Sequence, residues 1–199
     1  RDQGIYAYAG KLLLEGKMNY KYVFDLKPPG IHFLFALMQF INGESMLSAR
    51  IFDIVWQSLT GFFIFLIAYK LSLNKILSLI SAFLYLLLYY RLDYWHTLQT
   101  DGSLNLFFAV SVLLLISSFE SHSFLKIFFA GFIFALALLI KYTIISFLPL
   151  LSICFLVSKK ELFSLRVKNL LIYTLGIIVP FAAVILLYYL SNSLNELID

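Results

Sequence analysis

Beyond Arg50 the sequence runs in long, unbroken apolar stretches, and a chain of this kind has few ways to fold. In hydrocarbon no water satisfies backbone N–H and C=O groups, so only helices and closed barrels are viable there. Barrel strands alternate apolar with polar residues, whereas these runs are continuous. Six helical spans are therefore expected, over about 51–69, 76–90, 103–119, 124–140, 142–158 and 169–190. Several reach only about 15–17 residues, the short limit for a hydrocarbon core of about 30 Å. Composition closes off the alternatives. Of 199 residues, 62% are hydrophobic and 13% charged, against about 45–50% and about 25% in soluble domains. So little charge cannot cover a soluble globule, and intrinsic disorder demands the opposite balance. The sequence predicts an all-α fold, a polytopic transmembrane helix bundle.

Residues 1–50 have another character, with charges and turn formers such as Gly10, Gly16, Pro28, Pro29, Gly30 and Gly43. Two short helices are expected. One covers roughly 3–15, with Ile5, Ala9, Leu12 and Leu13 on one stripe. The other starts at Pro28-Pro29 and runs to Ile41, too short to span a bilayer comfortably and apolar enough to lie in its surface. Positive residues favour cytoplasmic loops. Lys70, Lys75, Lys126, Lys159, Lys160, Arg166 and Lys168 fall in three alternate loops, while the opposite short loops hold Arg91 and Lys141. Loops 70–75, 120–126 and 159–168 are thus expected inside, and residues 1–50, the 91–102 loop, Lys141 and the tail outside. The organisation expected is an extracytoplasmic loop over 1–50 with juxtamembrane helices, a six-span bundle over 51–190 and the start of an outer loop over 191–199. The chain begins at Arg1 and is expected to be a piece of a longer protein. Its net charge of +4 reads as topology rather than as nucleic-acid binding.

The outer side gathers Asp2, Asp25, Lys27, His32, Arg50, Arg91, Asp93, His96, Asp101 and Lys141. Ionisable groups at membrane depth are costly and tend to be functional, and Asp101 and Lys141 each stand at the outer end of a span. In Lys27-Pro28-Pro29-Gly30, proline suits the first helical position. The free N–H groups of a helix starting there, beside a lysine, make an anion site suited to phosphate. An ordinary loop-to-helix turn accounts for the same residues. Asp2 and Asp101 put two carboxylates on the outer face, able to divide general-base and orienting roles. There is no GxGxxG, phosphate loop or DxD, and His32, His96 and His122 lack metal-ligand spacing. The lone Cys154, inside an apolar run, reads as a small buried hydrophobe.

Taken in order, Asp2-Gln3-Gly4-Ile5-Tyr6, Lys27-Pro28-Pro29-Gly30, Ser48-Ala49-Arg50, Gln99-Thr100-Asp101-Gly102 and Leu139-Ile140-Lys141-Tyr142-Thr143 form a recognisable series. The chain resembles the polyprenyl-phosphate-sugar-dependent glycosyltransferases of the C superfamily. Its nearest branch there holds the protein O-mannosyltransferases, known as the dolichyl-phosphate-mannose-protein mannosyltransferase family, and the lipid A aminoarabinose transferase. The resemblance implies a further span before Arg1 and others after residue 199. It implies that Asp2 is the catalytic base, that Lys27 contacts the lipid phosphate, and that Asp101 binds or orients substrate. Tyr6, Arg50 and Lys141 join the substrate-binding set. Gln3 and Leu26 depart from the family pattern, where acidic or polar residues are frequent; both departures remove metal ligands, so a divalent metal stays open and no cofactor is assigned. The expected partners are a polyprenyl-phosphate-linked sugar, a glycan, lipid or protein acceptor, and the bilayer. The expected place is a bacterial cytoplasmic membrane with the active site facing outward. A transporter or flippase for a lipid-linked or anionic substrate is the alternative, and it would favour broken helices and charges at mid-membrane.

Overall fold

The computed structural model describes residues 2–91, 97–149, 153 and 163–198. Asp93, His96, Cys154, Lys159 and Lys160, and residues 150–152 and 154–158 of the expected fifth span, lie outside the described residues. Among those described, all regular structure is helical: α1 (Asp2–Leu14), α2 (Gly30–Asn42), α3 (Met46–Ser72), α4 (Lys75–Arg91), α5 (Thr100–Ser121), α6 (Phe124–Ile140), a 3-10 helix (Tyr142–Phe147), α7 (Phe163–Leu190) and α8 (Leu194–Ile198). Helices α3, α5 and α7 are long and apolar enough to cross a membrane; α2 and α6 are shorter apolar helices.

Local chemistry sets the boundaries. Helix α3 starts at Met46, ahead of the apolar run, because Ser45 Oγ accepts from the Ser48 N–H at 3.0 Å and so caps the first turn. Asn74 Oδ1 does the same for α4, taking the N–H groups of Ile76 and Leu77. Pro29 is the N-cap of α2, at φ −67°, an angle that its ring enforces. The stretch expected to open a fifth span is instead a 3-10 helix. Its Thr143-Ile144-Ile145 run is β-branched, which weakens α-helix preference, and Pro149 follows closely.

The helices pack in the order α4–α3–α5–α6–α7, and α1 and α2 lie together across one end, α2 touching α3 and α6. Contact between α6 and α7 is extensive because glycines let the backbones meet. A Cβ on Gly131 would fall 2.1 Å from the Tyr173 carbonyl, and one on Gly176 would fall 2.2 Å from that of Phe128. Lys168 lies over the Phe124 ring, Tyr173 beside Phe134, and Pro180 beside Leu136, so α6 and α7 run parallel. The chain therefore leaves α6 at one end of the bundle and enters α7 at the other.

The charges sort to the two ends. At one, Lys70 pairs with Glu120 at 2.5 Å and Lys126 Nζ donates to Ser121 Oγ at 2.9 Å. At the other stand α1, α2, Asp101 and Lys141. Gly10 is what seats α1 on α2, where a Cβ would lie 2.7 Å from the Ala36 nitrogen.

Candidate active site

Asp2 opens α1 and is exposed. The next residue ties it to the start of α5: Gln3 Nε2 donates to the Thr97 carbonyl at 2.5 Å. Asp101 lies in the first turn of α5, where a carboxylate suits the positive end of the helix dipole. It pairs with Lys141, which caps the carbonyl end of α6, where a cation is equally well placed. The pair thus joins two antiparallel helices at the same end of the bundle.

Tyr6, one turn after Asp2 on α1, is not open to a ligand. It is 1% exposed, packed on His32 and Phe35 of α2 with ring centroids 6.1 and 5.6 Å away. Its hydroxyl has no hydrogen-bond partner among the described residues. Burial, and then the carboxylates of Asp25, Asp2 and Asp101, push its phenol well above the usual range. Three carboxylates from separate segments thus lie near enough for their charge to be felt at one side chain.

Lys27 is half-buried and makes no ion pair among the described residues. Its backbone is fixed on both sides, since Tyr20 Oη donates to the Lys27 carbonyl at 2.6 Å and the Lys27 N–H donates to Asp25 Oδ1 at 3.2 Å. Gly30 then presses on α6, where a Cβ would lie 2.4 Å from the Leu139 carbonyl. Below this turn an apolar groove of about 350 Å³ runs between α2, α6 and α7, from Gly30 past Leu37 and Leu136 to Pro180, Ala183 and Val184. Proline and small residues on α7 keep it open.

Arg50 lies elsewhere. It is exposed on α3 and lines a separate cavity with Gln3 and Gly4. Lys27 thus stands by one cavity, Arg50 by another, and Lys141 is engaged with Asp101.

Two buried networks hold these parts; Asp25 and His32 were gathered on the outer side from sequence, whereas Asn19, Tyr188 and Asp53 were not singled out. In the first, Asn19 Nδ2 donates to His32 Nδ1, which leaves the imidazole proton on Nε2, and this donates to Asp25 Oδ2 at 2.9 Å. Asn19 Oδ1 in turn accepts from Tyr188 Oη of α7 at 2.6 Å. Burial holds His32 below its usual titration range, against the opposing pull of Asp25. The Lys27 loop is thereby pinned to both α2 and α7. In the second, Asp53 of α3, 2% exposed, accepts from Tyr89 Oη at 2.8 Å, Gln57 Nε2 at 3.3 Å and the Leu98 N–H at 3.3 Å. Leu98 has φ +51°, a strained value for a bulky side chain. Trp56 Nε1 adds a bond to the Ser103 carbonyl at 2.9 Å. Helix α3 thus fixes the turn that presents Asp101. The available signal was a carboxylate inside an apolar run, which is costly unless satisfied.

A bundle of apolar helices, three of them long enough to cross a membrane, defines an integral membrane protein. The chain belongs to the dolichyl-phosphate-mannose-protein mannosyltransferase family, whose sequence model matches residues 26–189, and the family resemblance read from the sequence is thereby shown. It is on that ground a membrane glycosyltransferase. The match includes Lys27, Arg50, Asp101 and Lys141, and Asp2 and Tyr6 precede it. No curated protein and no solved structure matches the chain. Among the described residues no group of three or more His, Cys, Asp or Glu side chains is arranged to hold a metal ion.

Proposed function

We propose that the protein moves a sugar from a polyprenyl-phosphate donor to an acceptor hydroxyl at the outer face of the membrane, inverting the anomeric carbon. The observation that carries this reading is the apolar groove that Gly30 lines, three residues from Lys27, which makes no ion pair among the described residues, and at the end of the bundle that carries Asp2 and Asp101. An isoprenoid tail suits such a groove. Its phosphate would meet Lys27, and its sugar would face the carboxylates.

In the reaction Asp2 takes the proton of the acceptor hydroxyl as that oxygen attacks the anomeric carbon. A new carbon–oxygen bond forms on one face. On the other, the bond to the phosphate oxygen breaks and its electron pair leaves with polyprenyl phosphate. Lys27 meets charge that grows as this bond breaks, so its attraction is stronger in the transition state than in the ground state. Asp101, held by Lys141 and the turn at Leu98, orients substrate. The ionisable groups stand at the ends of the bundle rather than at its middle, which favours a transferase over a transporter.

The test is transfer from a purified polyprenyl-phosphate sugar by full-length protein in nanodiscs. Lys27→Met keeps the apolar stem and deletes the charge. It is expected to lower turnover by about a hundredfold or more, while Lys27→Arg keeps part of the activity. Wild-type turnover by Lys27→Met would remove the phosphate from this turn.

A further inference from the structure

Helix α2 is a wall between two cavities. Gly30, Phe33, Leu34 and Leu37, at helical i, i+3, i+4, i+7 spacing, face the groove already described. Phe35, Met38 and Gln39 face the other side, where a second cavity of about 380 Å³ is closed by Gly4 and Ala7 of α1 and by Met46, Ala49 and Arg50 of α3. A helix lying on a membrane surface needs one apolar stripe. This one is apolar on two sides because both sides line cavities.

Three observations say what the second cavity takes. Its walls are mainly apolar, with Ala7, Phe35, Met38, Ala49 and Leu98 among them. Its charged residues are Glu44, already paired with Lys11 at 2.9 Å, and Arg50, which has no partner among the described residues. Among the described residues the cavity therefore carries one uncompensated cation. It also opens toward lipid: Met46 lines it at 68% exposure, and the exposed apolar surface continues along α3 through Leu47, Ile51 and Ile54. Gln3, the residue after Asp2, also lines it.

Resting on the transfer reading above, we propose that this cavity receives the acceptor and that the acceptor is an anionic membrane amphiphile. Its apolar part lies against Phe35 and Met38, its phosphate or carboxylate meets Arg50, and its hydroxyl reaches toward Asp2. Guanidinium suits this role because its fork of donors matches both anions. A soluble peptide would gain little from a cavity continuous with the lipid-facing side of α3. Donor and acceptor then approach the carboxylates from opposite sides of α2.

The experiment uses full-length protein in phosphatidylcholine nanodiscs doped with a diazirine-bearing phosphatidic acid or, separately, a diazirine-bearing phosphatidylcholine. After photolysis, cross-linked peptides are mapped by mass spectrometry. Phosphatidic acid is expected to label the peptides of Phe35, Met38 and Met46 several-fold more than phosphatidylcholine does. Arg50→Gln, at an exposed position, should abolish that preference. Gly4→Leu should lower labelling by both probes, since a Cβ at Gly4 meets nothing within 4 Å and the new side chain can enter the cavity. Equal labelling by the two probes, or a preference that survives Arg50→Gln, overturns the proposal. So does Arg50-dependent labelling of this cavity by a diazirine-bearing polyprenyl phosphate, which would make it the donor's site. So too does efficient transfer to a soluble serine-containing peptide with a KM that Arg50→Gln leaves unmoved. The donor reading fails separately. If polyprenyl phosphate does not label the groove at Leu37 and Leu136 while phosphatidic acid still labels the second cavity, the acceptor site stands and the donor site falls.

Discussion

The two ends of the bundle handle charge in opposite ways. At the end of Lys70 and Glu120, the ion pair sits at the surface, with side chains 25% and 60% exposed, and nothing buried depends on it. At the end of α1 and α2, Asp53 and His32 are almost fully buried, and each is satisfied by side chains from other segments. Burying such groups is expensive without full hydrogen bonding. A surface pair can serve orientation in the membrane; a buried network is justified only by the precision it confers on something beside it. Here that something is the Lys27 loop and the Asp101 turn.

The sharpest way to break this contrast is at Asp2. Asp2→Asn keeps size and hydrogen bonding but not the ability to take a proton, and transfer is expected to fall by about 10² to 10⁴, with cross-linking of polyprenyl phosphate unchanged. Normal transfer by this variant would take Asp2 out of the chemistry. Next comes Asp53→Ala, which removes the acceptor shared by Tyr89 Oη, Gln57 Nε2 and the strained Leu98 N–H. A loss of about 1–3 kcal/mol is expected in thermal or denaturant unfolding, together with a fall in turnover as the Asp101 turn loosens. Unchanged unfolding would mean that α3 does not hold that turn.

The third test is acid. The His32 titration lies below its ordinary value near 6.5 in the folded protein, so the unfolded chain binds the proton more readily. Stability is then full above about pH 6.5 and is lost as pH falls below it. Protonation also places a donor on Nδ1, facing the Asn19 amide that donates to it. His32→Gln should flatten this pH dependence, measured as the unfolding midpoint between pH 7.5 and 5; a wild-type midpoint constant over that range would contradict the assignment. The smallest effect belongs to the other end. Lys70→Gln should change stability by less than about 1 kcal/mol and leave transfer alone. A large loss there would erase the distinction between the ends.

How much of this could be read beforehand differs by kind of signal. Continuous apolar runs gave helix positions well, because hydrophobicity is local; the cap at Ser45, which starts α3 ahead of its apolar run, was not read. The Lys27-Pro28-Pro29-Gly30 turn was legible for the same reason, since proline fixes its own backbone. The 3-10 helix at Tyr142–Phe147 was not, because hydropathy does not register how a β-branched run before a proline departs from the α-helix. Nor was the spatial arrangement: nothing in the order of residues says that the charges of Asp2, Asp25 and Asp101 are all felt at Tyr6, or that Arg50 and Lys27 stand by different cavities. Asp53 was overlooked because Ile51, Phe52 and Ile54 around it made the segment read as plain membrane span.

The bond between Asn19 and Tyr188 joins residues 169 positions apart. It gives the molecule a clock. While the chain is being made, the Lys27 loop exists early, but the hydroxyl that fixes its asparagine arrives only when residue 188 does. Chains still on the ribosome, or cut short before that point, would carry the lysine without its anchorage. On the reading proposed here, the donor site is therefore set late in biosynthesis, after α7 has packed against α6, and an incomplete chain has little means of spending a lipid-linked sugar.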